Sequence, residues 1–463
     1  MSLWTRAELE ASTGGGAVGD WSKVAGIAID SRQVMPGDLF VALVGPNHDA
    51  HGFVADALGR GAAAAMVHAV PDGLPDAAPL LRVGDTLEAL AALGRAGRGR
   101  ARGRIAAVTG SVGKTGTKEA LRHVLGRQAS VHASVASFNN HWGVPLSLAR
   151  LPADTTYGVF ELGMNHPGEL TGLSRLVRPH VALITTIAAA HLAQFATLDA
   201  IADAKAEILA GLEPAGVAVL NRDIPQFERL RRHAEALGER VVTFGTHEQA
   251  DWRAVGQRPD VDGSDVRARG PDGELRFRVG LPGGHWVMNS MAVLAVVACA
   301  GADAERAAAD LADLDAIAGR GQRRQIPVPG GTITLIDDSY NANPASVAAG
   351  LAVLGQSPGR KIAVLGDMLE LGEAAQSLHE GLAEPIRAHG IDLVFTVGSN
   401  MAHLGQALDA GRRGAHADTS DEAAQLVLAA LRPGDTVLVK GSFGSRMGRV
   451  VAALTETVPA TGR

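Results

Sequence analysis

The apolar run Ile105-Ala-Ala-Val108 reads as a buried strand, and Thr109-Gly110-Ser111-Val112-Gly113-Lys114-Thr115 follows it directly. A helix-like segment from Thr117 to Leu125 comes next. A strand, a glycine-rich turn and a helix in that order constrain the chain more than any other feature. Glycines let backbone N–H groups turn inward around phosphate oxygens, and the helix start adds its positive end. In this reading Lys114 neutralises the β- and γ-phosphates and the Thr115 hydroxyl ligates magnesium. Val108 stands where the longer phosphate-loop pattern has its first glycine, so this is a shorter Gly-x-x-Gly-Lys-Thr form. The alternative is a plain glycine turn.

Such a unit belongs to an α/β fold, and 463 residues are enough for about three domains. Three blocks are expected. Residues 1–103 mix short strands (26–30, 38–43, 61–68) with a helix at 52–60, a small α/β unit. Residues 104–319 alternate strands at 157–161, 181–187, 217–220 and 241–244 with helices, the pattern of a mostly parallel sheet. Within them, 251–280 has Asp-Gly turns and reads as an antiparallel hairpin insertion, and 285–300 and 303–315 look helical. Residues 320–463 alternate again, with strands at 332–337, 361–365, 391–397 and 435–439 and helices at 344–355, 376–389, 400–410 and 420–431. That is a second open, Rossmann-like sheet.

Composition removes several classes of function. Cys299 is the only cysteine, so disulfide frameworks and four-cysteine zinc sites are excluded. A net charge of −6 gives no general attraction to nucleic acid. The basic run Arg95–Arg104 has no interleaved aromatics and reads as a solvated connector between domains. No apolar stretch reaches the roughly 18–20 residues that span a bilayer, and the first residues lack the apolar core of a signal peptide. A cytoplasmic chain is expected, with neither nucleic-acid nor membrane partners.

Ligands of open α/β sheets gather at the carboxyl ends of strands. Glu161 ends one strand and His191 follows another. A carboxylate and an imidazole converging on a nucleotide suggest a second cation site; a surface glutamate and a turn histidine are the plainer alternative. Lys205 raises a different question. Ile201, Ile208, Leu209 and Leu212 form the apolar stripe of a helix over 198–212, and Lys205 falls on that stripe. A buried ammonium is costly unless it is paired or uncharged. It is either a snorkelling or ion-paired lysine, or an active-site lysine open to covalent modification.

Taken together, these motifs resemble the Mur ligases of peptidoglycan synthesis, over essentially the whole length. The N-terminal block carries Asp30-Ser-Arg32, Pro36-Gly-Asp-Leu-Phe-Val-Ala-Leu43 and His48-Asp-Ala-His-Gly-Phe53. The middle block carries Thr109–Glu119, Asn139-Asn-His-Trp-Gly-Val-Pro-Leu146, Glu161–His166, Ala190-His191 and Ala204–Ile208. The third has Asp337-Asp-Ser-Tyr-Asn-Ala-Asn-Pro-Ala-Ser346, Leu365-Gly-Asp-Met-Leu-Glu-Leu-Gly372 with His379, and Leu438-Val-Lys-Gly-Ser442. The Tyr-Asn-Ala-Asn-Pro run is closest to the members that add D-Ala-D-Ala to a UDP-MurNAc-tripeptide. The Asp-Asn-Pro-Arg sequence of the diamino-acid-adding members is missing.

The resemblance implies an ATP-dependent ligase, monomeric, that uses two magnesium ions and forms an acyl phosphate. It implies UDP-substrate contacts at Ser31, Arg32, Asp49, His51, Asn139 and Asn140. ATP would meet Thr109 to Gly116, Asn289, Arg320, Asp338 and Asn341, and the dipeptide side would hold Tyr340, Asn343 and Ser442. Thr115, Glu161, His191 and a carbamylated Lys205 would serve magnesium, with Lys114, Lys205, His191 and Glu161 catalytic. Several positions depart from the family pattern. Gly116 replaces a hydroxyl residue, Trp286 an asparagine, Ala193 a glutamate, Phe443 an arginine and Gly448 a glutamate. The competing readings are the preceding ligase of the pathway, a folylpolyglutamate-type synthetase, a non-catalytic nucleotide-binding scaffold and a phosphate-loop motor.

Overall fold

The computed structural model describes residues 2–46, 48–189 and 192–456. Three sheets organise them. The first has five strands in the order Gly16–Val18, Leu80–Arg82, Ala64–Val67, Asp38–Val41, Gly26–Ala28, parallel except for the first pair. The second has nine, in the order Val131–Ala133, Tyr157–Glu161, Arg104–Thr109, Val181–Ile184, Val217–Asn221, Arg240–Gly245, Trp252–Pro259, Ser264–Gly270, Gly273–Val279. The third has six, in the order Gln322–Val328, Gly331–Asp338, Thr436–Lys440, Lys361–Gly366, Leu393–Val397, Arg413–Ala417, parallel after an antiparallel first pair.

The central strand explains its own apolar run. Side chains alternate between the two faces of a strand, and a parallel sheet covered on both sides buries both. Ala106 and Val108 pack on the side of the helices Lys114–Gly126 and Gly284–Cys299. Ile105 and Ala107 pack on the other, with the helices Glu169–Val177, Leu198–Ala206 and Phe227–Ala236. The chain leaves Arg104–Thr109 for one side of the sheet and returns to the other at Val181, so the order reverses around this strand. Such a reversal opens a crevice at the carboxyl end.

Several expectations change. The 251–280 segment is more than a hairpin insertion: Trp252–Pro259 joins Arg240–Gly245 in parallel and the hairpin after it extends the same sheet. The expected helix 376–389 is two helices, Ala375–Glu380 and Ala383–Ala388. The 198–212 helix ends at Ala206 and tightens into a 3-10 turn, Glu207–Gly211. Arg413–Ala417 is an added edge strand with one buried residue.

The basic run is not a solvated connector. Its first part closes the helix Thr86–Arg100, and Gly97 lets that helix lie against Gly143–Ala149: a Cβ there would sit 2.2 Å from the Leu148 carbonyl oxygen. Arg98 is buried and donates to the carbonyls of Val177 and Arg178, both at 2.7 Å, and pairs with Glu213 at 3.2 Å. Arg100 lies over the Trp4 ring and donates to the Leu3 and Leu151 carbonyls. These arginines join the first block to the second.

Candidate functional site

The turn after Thr109 is built to stay open toward an anion. Gly113 sits at φ +88°, a left-handed conformation that suits glycine, and no side chain caps the helix Lys114–Gly126 behind it. Its first N–H groups are therefore free for a ligand. Ser111 N–H donates to the Thr186 carbonyl, and Thr185 Oγ1 donates to the Val112 carbonyl at 2.6 Å, so the neighbouring strand end holds the loop's shape. Lys114 Nζ reaches the Gly110 carbonyl at 2.5 Å. Burial lowers the Lys114 pKa, Glu161 opposes that shift and Arg320 adds to it. The hydroxyls of Thr109 and Ser111 are buried without a hydrogen-bond partner among the described residues.

Glu161 ends the neighbouring strand and is buried. Its Oε1 accepts from Asn139 Nδ2 at 2.8 Å, and its Oε2 has no partner among the described residues. Lys205 is also buried, on the apolar face where the periodicity puts it, with no hydrogen-bond partner among the described residues. Burial, and next the charge of Lys114, hold its pKa well below the ordinary lysine value. An uncharged buried amine is the form that burial favours. His191 lies outside the described residues. Among those described, no three His, Cys, Asp or Glu side chains form a metal cluster. What is present still fits magnesium. A carboxylate oxygen without a partner is a hard-cation ligand waiting in a low-dielectric place, and the half of the carboxylate already used is fixed by an amide.

One cavity of about 620 Å3 joins this loop to the third block. Lys114, Thr115, Gly116, Asn139, Glu161 and Asn289 line one wall; Arg320, Asp338, Tyr340, Asn341 and Asn343 line the other. Asn289 lies beside Gly113, its Oδ1 3.0 Å from where a Cβ would stand. Arg320 stacks over Tyr340 at 4.5 Å and donates to Ser137 Oγ at 3.3 Å. Asp338 pairs with Lys440 at 2.7 Å, and Lys440 also donates to the Asn341 carbonyl at 2.9 Å. Burial raises the Asp338 pKa, against the pull of Lys440. Lys440 was not singled out in the sequence. The signal was its place at the end of an apolar strand, in Leu438-Val-Lys-Gly-Ser442.

Other expected residues lie apart or have local work. Asn343 Oδ1 caps the helix Pro344–Gly355 by accepting from Ser346 N–H. Ser442 Oγ accepts from Leu369 N–H and donates to the Ala342 carbonyl. Asn140 Oδ1 accepts from Gly143 N–H at the start of the helix Gly143–Ala149. Ser31 is buried, Arg32 is exposed and pairs with Asp30, and Asp49 accepts from His51 Nδ1 at 2.7 Å. His51 Nε2 accepts from His68 N–H, which fixes the tautomer. These four stand in the first block.

Comparison with known proteins agrees with this architecture. Three family descriptions match in chain order: the Mur ligase family catalytic domain over residues 23–98, the Mur ligase middle domain over 108–297 and the Mur ligase glutamate ligase domain over 319–443. The UDP-N-acetylmuramoyl-tripeptide–D-alanyl-D-alanine ligase of Escherichia coli K12 is 35% identical over 93% of each chain. That of Bacillus subtilis 168 is 34% identical over 94% of each. Among solved structures, MurF from Acinetobacter baumannii superposes with a TM-score of 0.86 at 31% identity, covering 98% of this chain and 99% of its own. MurF ligase from Thermotoga maritima in complex with ADP gives 0.78 at 27% identity, covering 94% and 97%. The chain belongs to the Mur ligase family.

Proposed function

We propose that this chain joins D-alanyl-D-alanine to UDP-N-acetylmuramoyl-tripeptide, converting ATP to ADP and phosphate. The observation that carries the reading is a cavity that puts an uncapped phosphate loop opposite the Asp338–Asn343 loop. Relatives of matching length bear this activity in their names.

The tripeptide's terminal carboxylate attacks the γ-phosphorus of ATP, ADP leaves, and an acyl phosphate forms. The dipeptide amine then attacks the acyl carbon, loses a proton and expels phosphate. Two anions must meet in the first step, so charge screening and positioning carry most of the catalysis. Lys114 and the free N–H groups of its helix would hold the β- and γ-phosphates. Arg320 would reach the same phosphates from the third block, and the Asp338–Lys440 pair would keep the Asn341 carbonyl in place. Magnesium, held by Thr115, Glu161 and His191 with Lys205 as a carbamate, would supply Lewis-acid screening of the phosphate oxygens. The cavity lies between two blocks, which fits a site that closes to keep water from the acyl phosphate.

On this reading residues 1–103 hold the UDP-sugar through Ser31, Arg32, Asp49 and His51, residues 104–319 hold ATP, and residues 320–463 receive the dipeptide. The reaction would run in the cytoplasm, in a monomer. No helix among the described residues is long and apolar enough to cross a membrane. The test is phosphate release with ATP, magnesium, a UDP-MurNAc-tripeptide and D-Ala-D-Ala, omitting each in turn. Release should need all four. Release that ignores D-Ala-D-Ala and responds to D-alanine, glutamate or a diamino acid overturns the reading.

A further inference from the structure

Trp286 stands at a junction between two cavities. Its half-buried indole lines the 620 Å3 cavity and also a second one of about 350 Å3. The two share Gly116, Leu281, Trp286 and Ala316, and beyond them the smaller cavity turns polar at Glu119, Arg122 and His123. Gly116 is the third residue of the phosphate-loop helix. A Cβ there would stand 3.0 Å from Trp286 Cη2, closer than a side chain sits without displacing the ring. The indole N–H has no acceptor among the described residues, so hydrogen bonding does not hold the ring in place.

In the fold these two positions form one pair. At Gly116 the chain has no side chain, and the indole fits against the helix there. The indole gives this wall a broad π-face and a single donor. Phosphates seated at Gly113–Thr115 leave the nucleoside within reach of the shared wall at Gly116 and Trp286.

We propose that Trp286 is the nucleobase platform of the nucleotide site, holding the base by its face, and that Gly116 is the seat that admits the ring. The proposal rests on the reading of this site as ATP-binding. Face recognition favours the larger purines over pyrimidines and separates adenine from guanine weakly, because every base has a π-face.

The experiment compares the full-length wild type with Trp286→Ala, Trp286→Phe and Gly116→Ser by calorimetric titration. The probes are ADP and inorganic tripolyphosphate, each with magnesium. In Trp286→Ala the Kd for ADP should rise roughly five- to a hundred-fold, the range of one base–aromatic contact, while tripolyphosphate binding stays within about two-fold. Trp286→Phe should recover most of the ADP affinity. Gly116→Ser should weaken ADP by pushing the ring aside, and Gly116→Ser/Trp286→Ala should bind ADP no worse than Trp286→Ala alone. In turnover, KM for ATP should rise with kcat largely kept, and the wild-type preference for ATP and GTP over CTP should shrink in Trp286→Ala. Unchanged ADP affinity, equal loss of ADP and tripolyphosphate, or GTP as poor as CTP in the wild type overturns the platform alone. A wild type that binds neither probe overturns the nucleotide-site reading, and the platform with it.

Discussion

Asn139 donates its side-chain N–H to one oxygen of Glu161 at 2.8 Å, while the other oxygen of that carboxylate is buried with no partner among the described residues. The amide orients the carboxylate and leaves one oxygen for a cation. Glu161→Gln removes the charge and keeps the shape. It should lower the rate of phosphate release about a hundred-fold or more, the scale of losing one electrostatic group at a reacting phosphate. Asn139→Ala should instead raise the magnesium concentration needed for half-maximal rate by about ten-fold, as expected when a ligand loses its orienting partner. Magnesium titrations of both variants check this; an unchanged requirement in Asn139→Ala removes the orienting role.

Lys205 predicts an opposition between stability and activity. Its folded pKa lies well below the ordinary lysine value, with burial as the main cause and Lys114 second. Between the folded pKa and about 10.5 the unfolded chain binds the proton and the folded chain does not, so stability rises with pH through that window. Lys205→Met removes the penalty. It should melt at a temperature higher by roughly 2 °C or more at neutral pH, with the gap closing as pH approaches about 10. Lys205→Ala should lose most activity, and short carboxylic acids should restore part of it. Melts of wild type and Lys205→Met that coincide across the pH series remove the depressed amine; wild-type activity in Lys205→Ala removes the carbamate.

What could be read in the sequence was what is encoded locally. The phosphate loop declares itself in seven consecutive residues, and Lys205 declares itself by breaking the 3.6-residue period of its own helix. Glu161 is visible because it ends an apolar strand. Lys440 needed its partner to be recognised, and Asp338 is 102 residues away. Arg98 reads as a surface cation because its acceptors, Val177 and Arg178, are about 80 positions further on. The strand Arg413–Ala417 escaped because an edge position buries only Ala417 and asks for no apolar run. The pairing of Gly116 with Trp286 is likewise a fact of the fold, since they stand 170 positions apart.

The Asp338–Lys440 pair should behave as a buried ion pair. The Lys440 side chain is 3% exposed and that of Asp338 22%. Lys440→Met leaves a carboxylate in surroundings that already raise its pKa, and should destabilise the third block by about 3 kcal/mol. Asp338→Asn/Lys440→Met should recover much of that loss because no uncompensated charge remains, yet stay inactive if the pair positions the Asn341 carbonyl. Urea unfolding and turnover of the single and double variants separate the two effects. A double variant as unstable as Lys440→Met alone would show that packing, not charge, holds this corner.

Arg98 supplies a test of how the first block is fixed to the second. Its guanidinium has a 5% exposed side chain and satisfies two backbone carbonyls and Glu213. Arg98→Met keeps the length of the stem and leaves those acceptors without their donor. Losing hydrogen bonds of this kind costs about 1–3 kcal/mol each when the orphaned group stays buried. The melting temperature should fall by roughly 4 °C or more. Arg95, three residues earlier, is exposed and makes no ion pair among the described residues, so Arg95→Met should change stability by no more than about 0.5 kcal/mol. Both belong to the same basic run. Equal effects of the two substitutions in differential scanning fluorimetry would mean that the run acts through its overall charge; a loss confined to Arg98 assigns it to the contacts between the blocks.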